Sequence, residues 1–283
     1  MKEYSDKAAP IGVFDSGYGG LTILEQLRKE LPGHDFIYLG DNARAPYGSR
    51  SFETVYHFTL EAVERLFDMG CRLVILACNT ASAKALRTIQ QHDLPQIDPS
   101  RRVLGVIRPT VEKVVSLSKT AHVGVFGTTG TIQSESYPME LHKLAPELVV
   151  TGQACPMWVP LVENMEANAP GADYFVKKYI DALLSADPLI DTIILGCTHY
   201  PLLMPKIRRF LPEGIRLVPQ GEIVAASLRD YLRRHPEMEE GISKNGTCRF
   251  YTTESEAKFL EYGSMFLGED IQVERIQLKG KGV

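Results

Sequence analysis

The sequence predicts an α/β protein of two pseudo-symmetric parallel-sheet domains, with its active site in the cleft between them. Three observations carry this expectation. Short apolar runs alternate with helical patterns along the whole 283 residues, as in successive β-α-β units. Two of the runs, VILACNTAS (74–82) and TIILGCTHYPLL (192–203), each end in a small residue, a cysteine and short polar side chains. Finally, GVF recurs at Gly12 and Gly124, 112 residues apart, while Cys78 and Cys197 are 119 apart, so two matched pairs share nearly one offset.

The elements follow in order. Ile11 to Phe14 reads as the first strand and runs into DSGYGG (15–20). Leu21, Leu24, Leu27 and Leu31 form one face of a helix stopped by Pro32-Gly33. A strand over 36–39, the loop GDNARAPYGS (40–49) and a long helix ending at Gly70 come next. The Cys78 strand leads into a helix over about residues 80–90, and QQHDLPQIDPSRR (90–102) reads as a loop where the chain leaves the first unit. AHVGVFGTTGT (121–131) restarts the pattern. From about Ile215 the strand LVP, a helix over 222–234, a strand over 248–252, a helix from Glu254 and a strand over 271–273 are expected to complete the first unit. The first domain is thus expected to hold residues 1–103 plus 216–283, and the second 104–215.

Bulk composition narrows the function. A chain with 44% apolar and 23% charged residues is ordinary for a globular protein, and a net charge of −4 argues against a general nucleic-acid surface. The polar start and the lack of a run of about eighteen apolar residues predict a cytoplasmic protein without a membrane span. Five cysteines without a C-x-x-C pair suit neither a disulfide framework nor a zinc site. Cys71, Cys155 and Cys248 read as packed or idle thiols.

Two thiols at matched strand ends suit a reaction in which a proton leaves one face of a carbon and arrives on the other. Free cysteine is only a few per cent ionised near neutrality, so each thiol needs a base or a field. Asp15 is the candidate for Cys78, and His199, two residues on from Cys197, the candidate for that thiol. Ser16 with the N–H groups of Gly17 to Gly20 at a helix start offers a grip for a substrate carboxylate. Tyr47-Gly48 offers further donors; Asn79, Thr80 and Thr198 put polar side chains beside the thiols, and Thr128 and Thr131 are the second unit's contribution. No cofactor motif and no metal site is expected.

These motifs resemble the cofactor-independent aspartate/glutamate racemase family over about residues 11–253. FDSGxGG, YxGDxARxPYG, CNTAS, GTxxT, CPxxVPLVE and GCTHYP occur in order. The resemblance implies that Cys78 and Cys197 are the catalytic acid/bases, assisted by Asp15 and His199. It also implies that Asp15-Ser16, Tyr47-Gly48, Asn79-Thr80 and Thr198 bind glutamate. The cysteine of CNT would then handle the proton of D-glutamate and that of GCTH the proton of L-glutamate. D-glutamate for peptidoglycan and a homodimer are further implications. His199 points to glutamate, since aspartate-specific relatives tend to carry Glu there. Arg108, Asn42 and Trp158 depart from the common pattern. Rival expectations are an aspartate or broad-specificity racemase, a non-catalytic amino-acid-binding regulator, and a cysteine hydrolase. Glu163 is open between a group near the cleft and an exposed helix residue.

Overall fold

The computed structural model describes residues 8–268 and 270–278; the polar start at residues 1–7 lies outside them. Its strands are β1 (Ile11–Asp15), β2 (Phe36–Gly40), β3 (Leu73–Leu76), β4 (Arg102–Gly105), β5 (His122–Gly127), β6 (Val149–Ala154), β7 (Thr192–Gly196), β8 (Arg216–Val218), β9 (Cys248–Thr252) and β10 (Val273–Arg275). They form two sheets, in the orders β10-β9-β2-β1-β3-β4 and β6-β5-β7-β8, with every pairing parallel. β1, β2, β3 and β7 are buried at every residue, which is why they read as unbroken apolar runs rather than alternating ones.

The internal echo has a structural counterpart. Gly12 of β1 pairs with Val74, four residues before Cys78. Gly124 of β5 pairs with Ile193, four residues before Cys197. The order β2-β1-β3-β4 is matched by β6-β5-β7-β8, and β9 and β10 extend the first sheet alone.

The helices form where one apolar face meets a sheet. Leu21–Glu30 buries Leu21, Ile23, Leu24 and Leu27 and gives way at Leu31, just before Pro32. Replacing a fully buried side chain such as Leu24 by Ala costs about 2–5 kcal/mol in comparable cores. Phe52–Asp68 is capped by the Ser51 hydroxyl on the Thr54 N–H and ends before Gly70, whose φ of 100° suits glycine. One core cluster runs from Ile11, Val13 and Leu24 through Phe126, Trp158 and Leu195 to Tyr200, so the two sheets share packing. Trp158 is fully buried, edge-on to Tyr200 and donating to the Phe175 carbonyl at 3.4 Å.

Several expectations are corrected. LVP does not return to the first unit: β8 pairs with β7 in the second sheet, and the chain crosses back only with the helix Gly221–Arg234. A second unit of 104–215 would therefore lose its own edge strand. Residues 90–102 form a loop only over 98–101. Helical turns continue through Ile97, and β4 joins β3 before the chain leaves the first sheet. The helix expected over 80–90 is broken into Asn79–Lys84, Leu86–Thr88 and a wider turn over Ile89–Asp93. The last strand is shifted to Val273–Arg275.

Candidate active site

β1, β3 and β7 end at one place, and with them Asp15, Cys78 and Cys197. Each is nearly sealed from solvent, with Asp15 1%, Cys78 5% and Cys197 6% exposed. Cys78 caps the helix Asn79–Lys84: its sulfur accepts the Ala81 N–H at 3.5 Å while its S–H donates to Ser16 Oγ at 3.4 Å. Burial pushes this thiol up to about 12, and the charge of Asp15 adds to the rise. Ser16, the Ala81 N–H and their hydrogen bonds pull the other way, and negative charge on Cys197 adds a further rise, so the two sulfurs lie within electrostatic reach of each other.

Cys197 has a different neighbour. His199 Nδ1 lies 3.8 Å from its sulfur, and Nε2 is 3.0 Å from Glu163 Oε1. Burial alone would depress the imidazole, but contacts with Cys197 and Glu163 outweigh it and hold the ring at about 10. A chain of carboxylate, ring and sulfur results, in which the ring can donate to the sulfur or take a proton from it. Glu163, left open by the sequence, is thus part of the site.

Asp15 acts electrostatically on Cys78 and is hydrogen-bonded to the residue after Cys197. Oδ1 accepts from the Gly17 N–H at 2.9 Å and Oδ2 from Thr198 Oγ1 at 3.4 Å. Burial raises its carboxyl; the positive His199 and the N–H groups of Gly17 and Gly20 counter that, and Glu163 reinforces it. Of the N–H groups of Gly17 to Gly20 that the sequence offers to a substrate carboxylate, those of Gly17 and Gly20 are hydrogen-bonded to Asp15 here. The turn must be glycine-rich for space, because a Cβ on Gly19 would fall 2.4 Å from Thr198 Oγ1 and 2.5 Å from His199 Nδ1.

The other predicted residues divide. Thr80, Thr128 and Thr131 form a buried triangle of hydroxyls, at 2.9 Å, 3.3 Å and 3.1 Å, that joins the Cys78 helix to the second unit. Beside it the Gly130 N–H donates to the Gly48 carbonyl at 2.7 Å. The Tyr47 hydroxyl is committed to Asp41, which also takes Arg44 at 2.7 Å, and Arg44 in turn holds Glu61 at 2.6 Å. The Asn79 amide is likewise occupied: Nδ2 donates to Gln220 Oε1 at 2.6 Å, and Oδ1 accepts from the Tyr137 hydroxyl at 2.6 Å. Sequence reasoning passed over Tyr137 and Gln220, which lie 58 and 141 residues from Asn79 and in none of the site motifs. Arg108 is away from the site, half exposed and paired with Glu112 and Glu140. A cavity of about 1190 Å³ lies behind the Cys78 helix against Lys84, Arg108 and Tyr231, and none of the predicted site residues lines it.

Known proteins resemble this chain over most of its length. Residues 21–228 match the family model described as Asp/Glu/Hydantoin racemase. A glutamate racemase from Roseobacter denitrificans is 39% identical, over 93% of this chain and 98% of its own length. Among solved structures, a glutamate racemase from Bacillus anthracis superposes with a TM-score of 0.87 at 37% identity, covering 96% of this chain and 98% of that one. A glutamate racemase from Francisella tularensis, solved in complex with D-glutamate, gives 0.86 at 34% identity, covering 97% and 99%. The chain belongs to the Asp/Glu/hydantoin racemase family. It is an isomerase of the amino-acid racemase type with the two-sheet α/β architecture of its glutamate-racemising relatives. Among the described residues no helix is long and apolar enough to cross a membrane.

Proposed function

We infer that this protein interconverts L- and D-glutamate by moving the Cα proton between two cysteines, Cys78 and Cys197. The observation that supports it most is the pair of buried thiols at equivalent strand ends of two like sheets, with Thr198 hydrogen-bonded to Asp15 and His199 beside Cys197. In one direction the thiolate of one cysteine takes the α-proton, leaving its electron pair on the carbon and its carboxylate. The S–H of the other cysteine then protonates the opposite face, and the thiol and thiolate exchange places. His199, backed by Glu163, manages the proton at Cys197. Asp15 makes Cys78 a stronger base once ionised, and a substrate ammonium beside Asp15 offsets the charge that keeps that thiol protonated. The remaining binding is assigned to Ser16, the Tyr47-Gly48 and Asn79-Thr80 backbone, Thr128, Thr131 and Thr198.

The residues 104 to about 218 and the rest of the chain act as two domains closing on the substrate. The resemblance further supports a cytoplasmic homodimer that supplies D-glutamate for peptidoglycan. Incubation with L-glutamate in D2O is expected to give D-glutamate deuterated at Cα, and unlabelled product would refute the exchange mechanism. Turnover of aspartate faster than glutamate would favour the rival specificity; glutamate binding without isotope exchange would favour a regulator.

A further inference from the structure

The enclosure of Asn79 ties Cys78 to the two places where the chain changes sheets. The first passage leaves β4 at Gly105 and enters the helix Ile107–Val115; the second leaves β8 and enters Gly221–Arg234 through Gln220. Both converge on the Gln220 amide. Its Nε2 donates to Thr110 Oγ1 at 2.8 Å, to the Tyr137 hydroxyl at 2.9 Å and, more weakly, to the Val106 carbonyl at 3.4 Å. Its Oε1 accepts from Asn79 Nδ2, and Tyr137 closes the ring by donating to Asn79 Oδ1. Asn79, Thr110, Tyr137 and Gln220 are each 2% exposed or less, so these bonds have no competition from solvent.

The ring requires an amide at residue 220. A carboxylate would supply two acceptors where Thr110 and Tyr137 need a donor, and a hydrocarbon would leave three buried polar groups short of a partner. Asn79 directly follows Cys78 and is the first residue of the helix that Cys78 caps. Holding its side chain therefore holds the peptide that aims the thiol.

We propose that Gln220 is a positioning residue for Cys78, anchoring Asn79 through Tyr137 to both inter-sheet passages and so setting the Cys78 thiol against the second domain. The proposal rests on the reading of Cys78 as one of the two acid/bases. The test compares wild type, Gln220→Leu, Tyr137→Phe and the double variant by three measurements: kcat and KM for glutamate, melting temperature, and the iodoacetamide alkylation rates of Cys78 and Cys197 resolved by peptide mass spectrometry. Misaiming a reacting group by about 1 Å costs on the order of a hundredfold, so kcat of Gln220→Leu is expected to fall at least about tenfold while KM changes much less. The Cys78 alkylation rate should shift while that of Cys197 holds, and the double variant should be no worse than the worse single one. Equal changes at both cysteines, or a lowered melting temperature with kcat near wild type, would overturn the proposal. Should Gln220→Leu not fold, Tyr137→Phe breaks the same ring by a single hydroxyl and is judged by the same criteria. An inactive wild type would refute the racemase reading, whereas the alkylation comparison needs no turnover and still decides the positioning role.

Discussion

The two walls of the site begin from like strands and end in unlike surroundings. Cys78 is served by a hydroxyl, a helix-start N–H and the charge of Asp15, with no imidazole hydrogen-bonded to it among the described residues; Cys197 has an imidazole at 3.8 Å backed by a carboxylate. A duplicated scaffold thus supplies position in duplicate, while the proton-handling groups differ between the copies. The difference matters because the two directions of a racemisation present mirror-image substrates to one asymmetric cleft.

The largest effects test whether the walls are equally needed. Cys78→Ala and Cys197→Ala are each expected to abolish racemisation in a glutamate assay, a loss of at least about a thousandfold given what single acid/base groups contribute. Appreciable activity in one variant only would show that the walls are not partners.

Removing the Glu163 carboxylate should act on the Cys197 wall alone. In Glu163→Gln, His199 loses one of the two contacts that hold it at about 10, so its value falls and the alkaline limb of kcat/KM moves to lower pH. The sign for stability follows from the same shift. A histidine whose folded value lies above its ordinary 6.5 stabilises fully below pH 6.5, and that contribution is lost as pH rises to about 10. Melting temperature should thus decline less across that window in Glu163→Gln than in wild type.

Gly48→Ala probes the contact between the walls. Its Cβ would lie 2.7 Å from Thr128 Cβ, so the Tyr47-Gly48 loop and the threonine triangle must move apart, at about 1–3 kcal/mol of stability with reduced kcat. Ser16→Ala gives the smallest change. It removes a hydroxyl that holds Cys78 down, so the limb of the pH profile set by Cys78 should move up, opposite to the shift in Glu163→Gln, with a loss of about 1 kcal/mol.

The strand ends were legible because buried parallel strands leave unbroken apolar runs, and Cys78, Cys197 and His199 follow those runs directly. The sheet that each strand joins was not. LVP is as apolar as any strand of the first unit, and only its pairing with β7 puts it in the second. Glu163 could be seen in LVEN but not judged, since a carboxylate on a short helix looks alike whether it faces water or His199. The sequence places Asn79 beside Cys78, but the hold of Tyr137 and Gln220 on its side chain depends on contacts between residues far apart in the chain.

The near-complete burial of both sulfurs gives the protein a one-bit memory. On the proposed two-cysteine exchange, each turnover leaves the transferable proton on the wall opposite the one where it began, giving two protonation forms of the free protein, one ready for L-glutamate and one for D-glutamate. With only 5% and 6% of these cysteines exposed, the proton finds its way back through the same occluded space.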